Sequence, residues 1–299
     1  MKILITGSTG YLGSQLADAL DRRGHSLVLL ARPHSSLALI EHLFRHGHHL
    51  HVIEGLDSIS DAFEGQKIDG VIHSATNYGR GDIAAHDLVD VNVRLPLAVM
   101  EAATRSGCSF FVNIDTSLPR LASQYAFSKK QFTDWVQFKN PSMAFVNLVV
   151  ELFYGPGEGG AKFVTWIVRQ LLSGVPGLDL TAGQQKRDFI YIDDLVRAIV
   201  ALTESAPGRP QGFHSFGVGT GQNRTIRDVV DQTARIVGSG ATELRYGVLP
   251  YREHEPMESH CDTSELIRMG WKPATDFDEG LRRVIEFEKR RQAAARNGA

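Results

Sequence analysis

Lys2-Ile3-Leu4-Ile5-Thr6, running straight into Gly7-Ser8-Thr9-Gly10-Tyr11-Leu12-Gly13, is an apolar run of strand length that breaks into three evenly spaced glycines. The chain then resumes with the apolar periodicity of a helix. Glycines at such a junction allow a tight turn and close backbone approach, so that a pyrophosphate can rest on the amides at the helix N-terminus. The spacing is GxxGxxG, and a glycine pattern alone says little; its position between a first strand and a first helix gives it meaning. Gly7, Thr9, Gly10, Tyr11, Leu12 and Gly13 are therefore the first candidate cofactor contacts.

Outward from this turn, short apolar runs alternate with helical patterns. Strands are expected at KILIT, SLVLLA, LHVIE, GVIH, SFFVNI and AFVNLVV, and helices over Tyr11 to Arg23, Ser35 to Arg45, Ile83 to Arg105 and Ser123 to Phe138. Strands apolar on both faces, separated by helices, predict an α/β fold with a Rossmann-type doubly wound parallel sheet. After Val150 the alternation loosens, and the domain boundary is placed there. A dinucleotide-binding domain over 1–150, rejoined by about 188–217 through DFIYIDDLVRAIVALTES, is expected. A smaller, discontinuous substrate domain over 151–187 and 218–285 would follow, and the tail 286–299 is expected to fray.

Composition narrows the function classes. With 32 Lys+Arg against 34 Asp+Glu, the net charge of −2 argues against nucleic-acid or anionic-membrane binding. Two cysteines, Cys108 and Cys261, do not make a disulfide scaffold. Residues 1–10 turn glycine-rich too early for a signal-peptide core, and no run reaches the ~18 apolar residues of a membrane span. A soluble, cytoplasmic protein is the expectation.

A dinucleotide site next needs a reader of the adenosine ribose where the second strand ends, and Ala31-Arg32-Pro33 stands there. Arginine pairs with a 2′-phosphate through charge-assisted, bidentate hydrogen bonds, so NADP(H) is favoured and NAD(H) remains possible. The alternative is that Arg32 stacks on the adenine or is merely solvated. Asp57, after the third strand, is a candidate acceptor for the adenine amino group or a cap for the following segment. Tyr125 and Lys129 are four residues apart and so share a helix face. A phenol beside a positive charge ionises more readily than its ordinary value near ~10 allows, which suits proton exchange with a sugar oxygen during hydride transfer. Thr116, ending the strand FFVNI, can add a hydrogen bond to the same oxygen.

The amino-terminal glycine turn, Tyr125-x-x-x-Lys129, Tyr154-Gly155-Pro156-Gly157, Arg187-Asp188-Phe189-Ile190-Tyr191-Ile192-Asp193-Asp194 and Met269-Gly270-Trp271-Lys272-Pro273 follow one another as in the extended short-chain dehydrogenases/reductases. The chain resembles that nucleotide-sugar epimerase/dehydratase family over nearly its whole length. The resemblance implies NAD(P), a nucleotide-diphosphate-sugar substrate and a homodimer. It implies Thr116, Tyr125 and Lys129 for chemistry, Ser74, Ala75 and Asn92 near the cofactor, and Arg187 and Arg252 on the substrate diphosphate. The alternative for Arg187 is a structural pair with Asp188 or Asp193.

Dehydratases of the family follow the catalytic threonine with an Asp-Glu pair, whereas Ser117-Leu118 stands here, so dehydration is disfavoured. The strings Asn77-Tyr78-Gly79-Arg80, Tyr125 to Gln131, Tyr154-Gly155-Pro156-Gly157 and Lys162-Phe163 most resemble the CDP-abequose/CDP-paratose synthase type of 4-ketoreductase. Asn77, Tyr78, Arg80, Glu151 and Lys162 are thereby candidate substrate contacts, and Glu151 marks a sugar pocket lined differently from that of epimerases. The expected activity is NADPH-dependent reduction of the C4 carbonyl of a nucleotide-linked 4-keto-deoxyhexose. An NAD(P)-dependent 4-epimerase and a dinucleotide-sensing binding protein are the alternatives, the latter opposed by the intact Tyr125/Lys129 pair.

The histidines at 42, 46, 48, 49 and 51 look solvated, with no cysteine or carboxylate set to complete a metal site, and no metal is expected. Asp193-Asp194 suit a helix N-terminus. Trp135 and Phe138 are either a dimer face or core.

Overall fold

The computed structural model describes residues 1–297 apart from Ser239, Ala241 and His260. The chain forms two compact units, one of residues 1–150 with 196–217 and one of residues 151–195 with 218–299.

The first unit is built on a seven-stranded sheet. Its strands are β1 (Lys2–Thr6), β2 (Ser26–Ala31), β3 (His49–Val52), β4 (Gly70–His73), β5 (Phe110–Thr116), β6 (Ala144–Val150) and β10 (Gly212–Val218), in spatial order β10-β6-β5-β4-β1-β2-β3. From β6 to β3 each pair of neighbours is parallel. The order reverses between β1 and β4, the switch point where doubly wound sheets bind ligands beyond their strand ends. The helices are α1 (Tyr11–Arg22), α2 (Ala85–Val89), α3 (Leu95–Arg105) and α4 (Gln124–Lys139). Buried Leu16, Ala17 and Leu20 seat α1 on the sheet. Phe132 of α4 packs against Phe111 and Phe145, ring centroids 6.2 and 5.8 Å away, and Phe213 of β10 stacks on Phe145 at 5.6 Å. This aromatic row holds α4 over β5 and β6.

In the second unit, β7 (Leu152–Tyr154), β9 (Lys186–Tyr191) and β11 (Asn223–Thr225) form a three-stranded sheet, and β8 (Gly177–Leu180) pairs with β12 (Glu243–Tyr246). Its helices include α5 (Phe163–Leu172), α7 (Ile226–Val237), α8 (Ser264–Arg268) and α9 (Phe277–Asn297); α6 (Ile192–Ser205) begins in this unit. Ile167, Leu171, Leu178, Leu180 and Val230 make one apolar cluster, and Tyr154, Phe189, Tyr191 and Phe277 an aromatic one. A β-carbon on Gly280 would lie 2.4 Å from the Tyr154 hydroxyl, so the glycine lets α9 approach that cluster.

Four local expectations are corrected. The strand at 186–191 does not rejoin the large sheet: it pairs with β7 and β11, and the return is made by β10 at 212–218. Residues 35–45 form no full helix, only turns and a short 3-10 segment over Glu41–His46, because their apolar positions supply only a few anchors, chiefly Ile40 and Leu43. The helix from 83 to 105 is instead α2 and α3 joined by a π-helical turn over Asp90–Arg94. The tail does not fray at 286: α9 continues to Asn297, with Glu288 fully buried and bonded to Arg169 at 2.8 and 3.0 Å and to Arg291 at 2.8 Å. Residues 298 and 299 lie outside the described residues.

Candidate functional site

The glycine turn is shaped by what it cannot contain. Gly7 has φ +69°, and a β-carbon there would fall 2.6 Å from the Ala75 nitrogen. One on Gly13 would fall 2.1 Å from the Gly7 oxygen, whereas one on Gly10 meets only that oxygen at 3.2 Å. Gly10 N–H donates to Gly7 C=O at 2.9 Å and Ser14 N–H to Gly10 C=O at 2.9 Å, closing the turn into α1. As N-cap, Gly10 offers no side-chain acceptor to the first-turn amides. A bare cradle under amides aimed outward fits a dinucleotide pyrophosphate. Ser8 Oγ donates to Leu30 C=O at 3.0 Å and Ser74 Oγ to Thr6 C=O at 2.7 Å, so the ends of β1, β2 and β4 converge on the turn. Thr9, Tyr11 and Leu12 belong to it, and Ala75 roofs Gly7.

Arg32 is exposed at the end of β2, its N–H on Ser35 Oγ at 3.2 Å. Asp57 is exposed in the first turn of the 3-10 segment Leu56–Phe63. The cap of that segment is Gly55, so the capping alternative for Asp57 is corrected.

Asn92, wholly buried in the π-helical turn, organises the segment beyond β4. Its Oδ1 accepts from Asn77 N–H at 2.8 Å and Thr76 Oγ1 at 3.1 Å, and its Nδ2 donates to Asn77 C=O at 2.8 Å and Ser128 Oγ at 2.9 Å. An inserted residue re-aims a side chain, and π turns often occur at functional sites. The tethered loop brings the Tyr78 ring to 5.1 Å from that of Tyr125, with Arg80 5.5 Å from the Tyr78 centroid.

Ser123 caps α4, accepting from Ala126 N–H at 3.1 Å, and thereby starts the helix that carries Tyr125 and Lys129. The Thr116 and Thr76 hydroxyls approach the Tyr125 hydroxyl and favour its ionised form. Burial, then Tyr78 and Asp115, push the phenol far above its ordinary value, and these two hydroxyls only partly offset them. Desolvation therefore favours the neutral phenol over the phenolate at Tyr125, against the ready ionisation expected from the neighbouring lysine. Lys129 is 1% exposed. Burial pulls its ammonium down to about 8, with Asp115 opposing and Lys130 assisting.

Sequence reasoning missed the polar layer beneath. Thr6, His73, Asn113 and Asn147 are register partners across β1, β4, β5 and β6. Thr6 Oγ1 lies 2.8 Å from His73 Nδ1, and Asn113 Nδ2 donates to Asn147 Oδ1 at 2.7 Å. Burial, then the Lys129 charge, depress His73 so that it is neutral. Thr76 was missed as well. Polar residues inside strands that otherwise read as apolar were the available signal.

The second unit holds Glu151, Lys162, Arg187 and Arg252. Arg187 is buried, paired with Glu255, and donates to Lys186 C=O at 2.7 Å; burial lowers its pKa. The proposed pairing with Asp188 or Asp193 is corrected: Asp188 instead accepts from Thr220 Oγ1 at 2.5 Å and Gly221 N–H at 2.7 Å. Exposed Arg252 sits in the same turn as Glu255, whose N–H donates to Arg252 C=O at 3.1 Å. Glu151 is buried, both carboxylate oxygens within 2.8 Å of Ser259 Oγ. Lys162 lies 4.9 Å from the Phe153 centroid. Asp194 does more than favour a helix dipole, accepting from Thr275 N–H at 2.9 Å.

The histidine cluster does meet carboxylates, contrary to expectation. Asp21 lies 2.8 Å from both His46 Nδ1 and His48 Nε2, and Asp18 lies 2.8 Å from His42. Leu27 N–H donates to His48 Nδ1 at 3.2 Å, so Nε2 carries the ring proton and points it at Asp21. That tautomer suits a hydrogen-bonded cluster and opposes metal ligation through Nε2. Trp135 and Phe138 are surface residues, 48% and 83% exposed, not core. Among the described residues, no helix is long and apolar enough to cross a membrane.

Comparison with known proteins agrees with this frame. CDP-abequose synthase of Salmonella muenchen is 28% identical over 297 residues, spanning 96% of this chain and 98% of that protein. UDP-glucose 4-epimerase of Mycolicibacterium smegmatis is 25% identical over 96% of this chain and 98% of its own length. Among solved structures, the UDP-glucuronic acid 4-epimerase of Bacillus cereus with UDP-glucuronic acid and NAD superposes with TM-score 0.82 at 24% identity, covering 97% of this chain and 99% of that one. The UDP-glucose 4-epimerase of Thermus thermophilus with NAD gives 0.80 at 22%, covering 97% and 99%. The profile of the NAD dependent epimerase/dehydratase family matches residues 3–214, and with strand, glycine turn, Tyr125 and Lys129 in the family's order, the chain belongs to that family.

Proposed function

We propose that this protein reduces the C4 carbonyl of a nucleotide-linked 4-keto-deoxyhexose, with a CDP-4-keto-3,6-dideoxyhexose as the favoured substrate and NADPH as the favoured reductant. The observation that carries this reading is the Tyr125 phenol beside Thr116, on the helix face of Lys129, with desolvation favouring its protonated form. Reduction needs a proton donor at the carbonyl oxygen, and an acid kept protonated at neutral pH supplies one. Likeness to CDP-abequose synthase over nearly the whole of both chains points the same way.

The glycine turn and α1 would hold the dinucleotide pyrophosphate, and Arg32 the adenosine 2′-phosphate. When bound, the reduced dinucleotide supplies the hydride. Tyr125 gives its proton to the carbonyl oxygen as negative charge develops there, and Thr116 Oγ1 adds a hydrogen bond. Lys129, protonated below about 8, stabilises the phenolate left behind. Arg187 and Arg252 are assigned to the diphosphate, and Asn77, Tyr78, Arg80, Glu151 and Lys162 to the nucleotide sugar. Ser117-Leu118, in place of an acidic pair, disfavours dehydration. A cytoplasmic homodimer using the exposed Trp135 and Phe138 face completes the reading.

The test combines purified protein, a CDP-4-keto-3,6-dideoxyhexose and NADPH, following cofactor absorbance and sugar product together. Stoichiometric NADPH loss with a new C4 alcohol is expected. Absence of that reaction, with interconversion of nucleotide hexoses instead, would replace the reductase by an epimerase.

A further inference from the structure

The backbone of Thr116 is gripped on both sides by one ion pair. Asp115 Oδ1 accepts from Thr116 N–H at 2.7 Å, and Lys130 Nζ donates to Thr116 C=O at 2.6 Å. The two side chains meet at 2.7 Å between Lys130 Nζ and Asp115 Oδ2, where Asn147 Nδ2 also donates at 3.2 Å. Asn147 is fixed in turn by Asn113 at 2.7 Å. The Asp115 side chain is 2% exposed and that of Lys130 20%, so the pair is shielded from most solvent screening.

This pair joins the two elements whose spacing the proton transfer depends on. Thr116 ends β5, while Lys130 follows Lys129 on α4, the helix that carries Tyr125. Residues 117–123 connect them as an irregular loop, held by Ser117 N–H on Val150 C=O at 3.0 Å and by Arg120, which pairs with Asp134 of α4. The Lys130–Asp115 cross-brace ties the helix directly to the strand end at Thr116 itself. The brace also pairs the Asp115 charge, which acts directly on Tyr125.

We propose that Lys130 and Asp115 are positioning residues, fixing the Thr116 backbone and thereby the placement of its hydroxyl beside that of Tyr125. The proposal rests on the reading of Tyr125 as the acid. Positions held to within about 0.5 Å matter for such a group, and a misplacement of about 1 Å can cost on the order of 10²-fold in rate.

The test compares Lys130→Met, Lys130→Arg, Asp115→Asn, Thr116→Val and the double variant Thr116→Val/Lys130→Met. Turnover is measured with the ketosugar and NADPH, and tyrosine-ζ-¹³C NMR, assigned with Tyr125→Phe, gives a readout independent of substrate. Lys130→Met and Asp115→Asn should each lower kcat at least tenfold with KM changed less than threefold, and Lys130→Arg should recover most of the loss. The double variant should lose no more than Thr116→Val, because both act through the one Thr116 hydroxyl. The Tyr125 resonance should move in the same direction in Lys130→Met as in Thr116→Val. An additive double variant, or an unmoved Tyr125 resonance in folded Lys130→Met, overturns the proposal. If the parent protein shows no ketosugar reduction, the functional reading fails on its own, and the resonance still decides the brace.

Discussion

Replacing each motif glycine by alanine should give unequal results, although the sequence presents the three alike. At Gly13 the new methyl would start 2.1 Å from the Gly7 oxygen and 2.7 Å from the Gly7 carbonyl carbon. Both obstacles are backbone, so no side chain can rotate away, and reaching a tolerable contact near ~3.3 Å moves α1 or the turn by about 1 Å. Overpacking of this kind costs about 1–3 kcal/mol, or about 2–12 °C in melting temperature for a unit of this size. The same displacement swings the first-turn amides off the phosphate position, so dinucleotide affinity should fall at least tenfold. At Gly10 the contact is 3.2 Å and the backbone, at φ −85°, is ordinary, so Gly10→Ala should melt within about 2 °C of the parent. Thermal melts of unliganded protein, followed by NADPH titration, are the assay. Equal melting losses for the two variants, or a parent-like Gly13→Ala, would refute the reasoning.

Tyr125→Phe should retain dinucleotide binding and lose about 10²–10⁴-fold in kcat; unchanged turnover would remove Tyr125 as the acid. Arg32→Asp should shift the ratio of kcat/KM values for NADPH and NADH by about 10–100-fold toward NADH, and an unaltered ratio takes Arg32 off the ribose. Turnover should decline as pH rises through about 8, where Lys129 loses its proton, and the pH profile of Lys129→Met should lack that limb. Glu288 is lowered because the Arg169 and Arg291 hydrogen bonds outweigh burial, so its contribution is present above its unfolded value near 4.5 and fades as pH falls through the folded one. Glu288→Gln should therefore lower the melting temperature at pH 7, and the difference should shrink as pH falls below 4.5; a constant difference across that range would contradict the assignment.

The periodic and glycine signals were legible because they are local. KILIT, the turn and α1 follow from strand apolarity and conformational freedom within a dozen residues, and α4 from Ser123 and its spacing. The state of Tyr125 was not legible. An adjacent lysine suggests ionisation, but burial dominates, and burial is a property of the assembled layers. The π-helical turn at Asn92 was equally hidden, since its stripe of Leu88, Val91, Leu95, Val99 and Ala102 is compatible with an unbroken helix. The histidine cluster met its carboxylates only through folding, because Asp18 and Asp21 lie on α1, more than twenty residues earlier. Lys130 looked like an incidental neighbour of Lys129; its meaning comes from Asp115 across the strand end. The second unit was the least legible because β7, β8, β11 and β12 are three or four residues each, too short to carry a periodic signature.

The strand order of the large sheet has a consequence for synthesis on the ribosome. Strand β10, which pairs with β6, emerges about 60 residues after β6 is complete at Val150. At ~5–20 residues per second, β6 waits about 3–12 s with an unpaired apolar edge. For that interval Phe145 also lacks its stacking partner Phe213. The nascent chain is then a template for strand addition by any neighbouring copy. Translation rate over codons 151–212 should therefore govern soluble yield, and a fragment cut at Val150 should aggregate however well its glycine turn is formed.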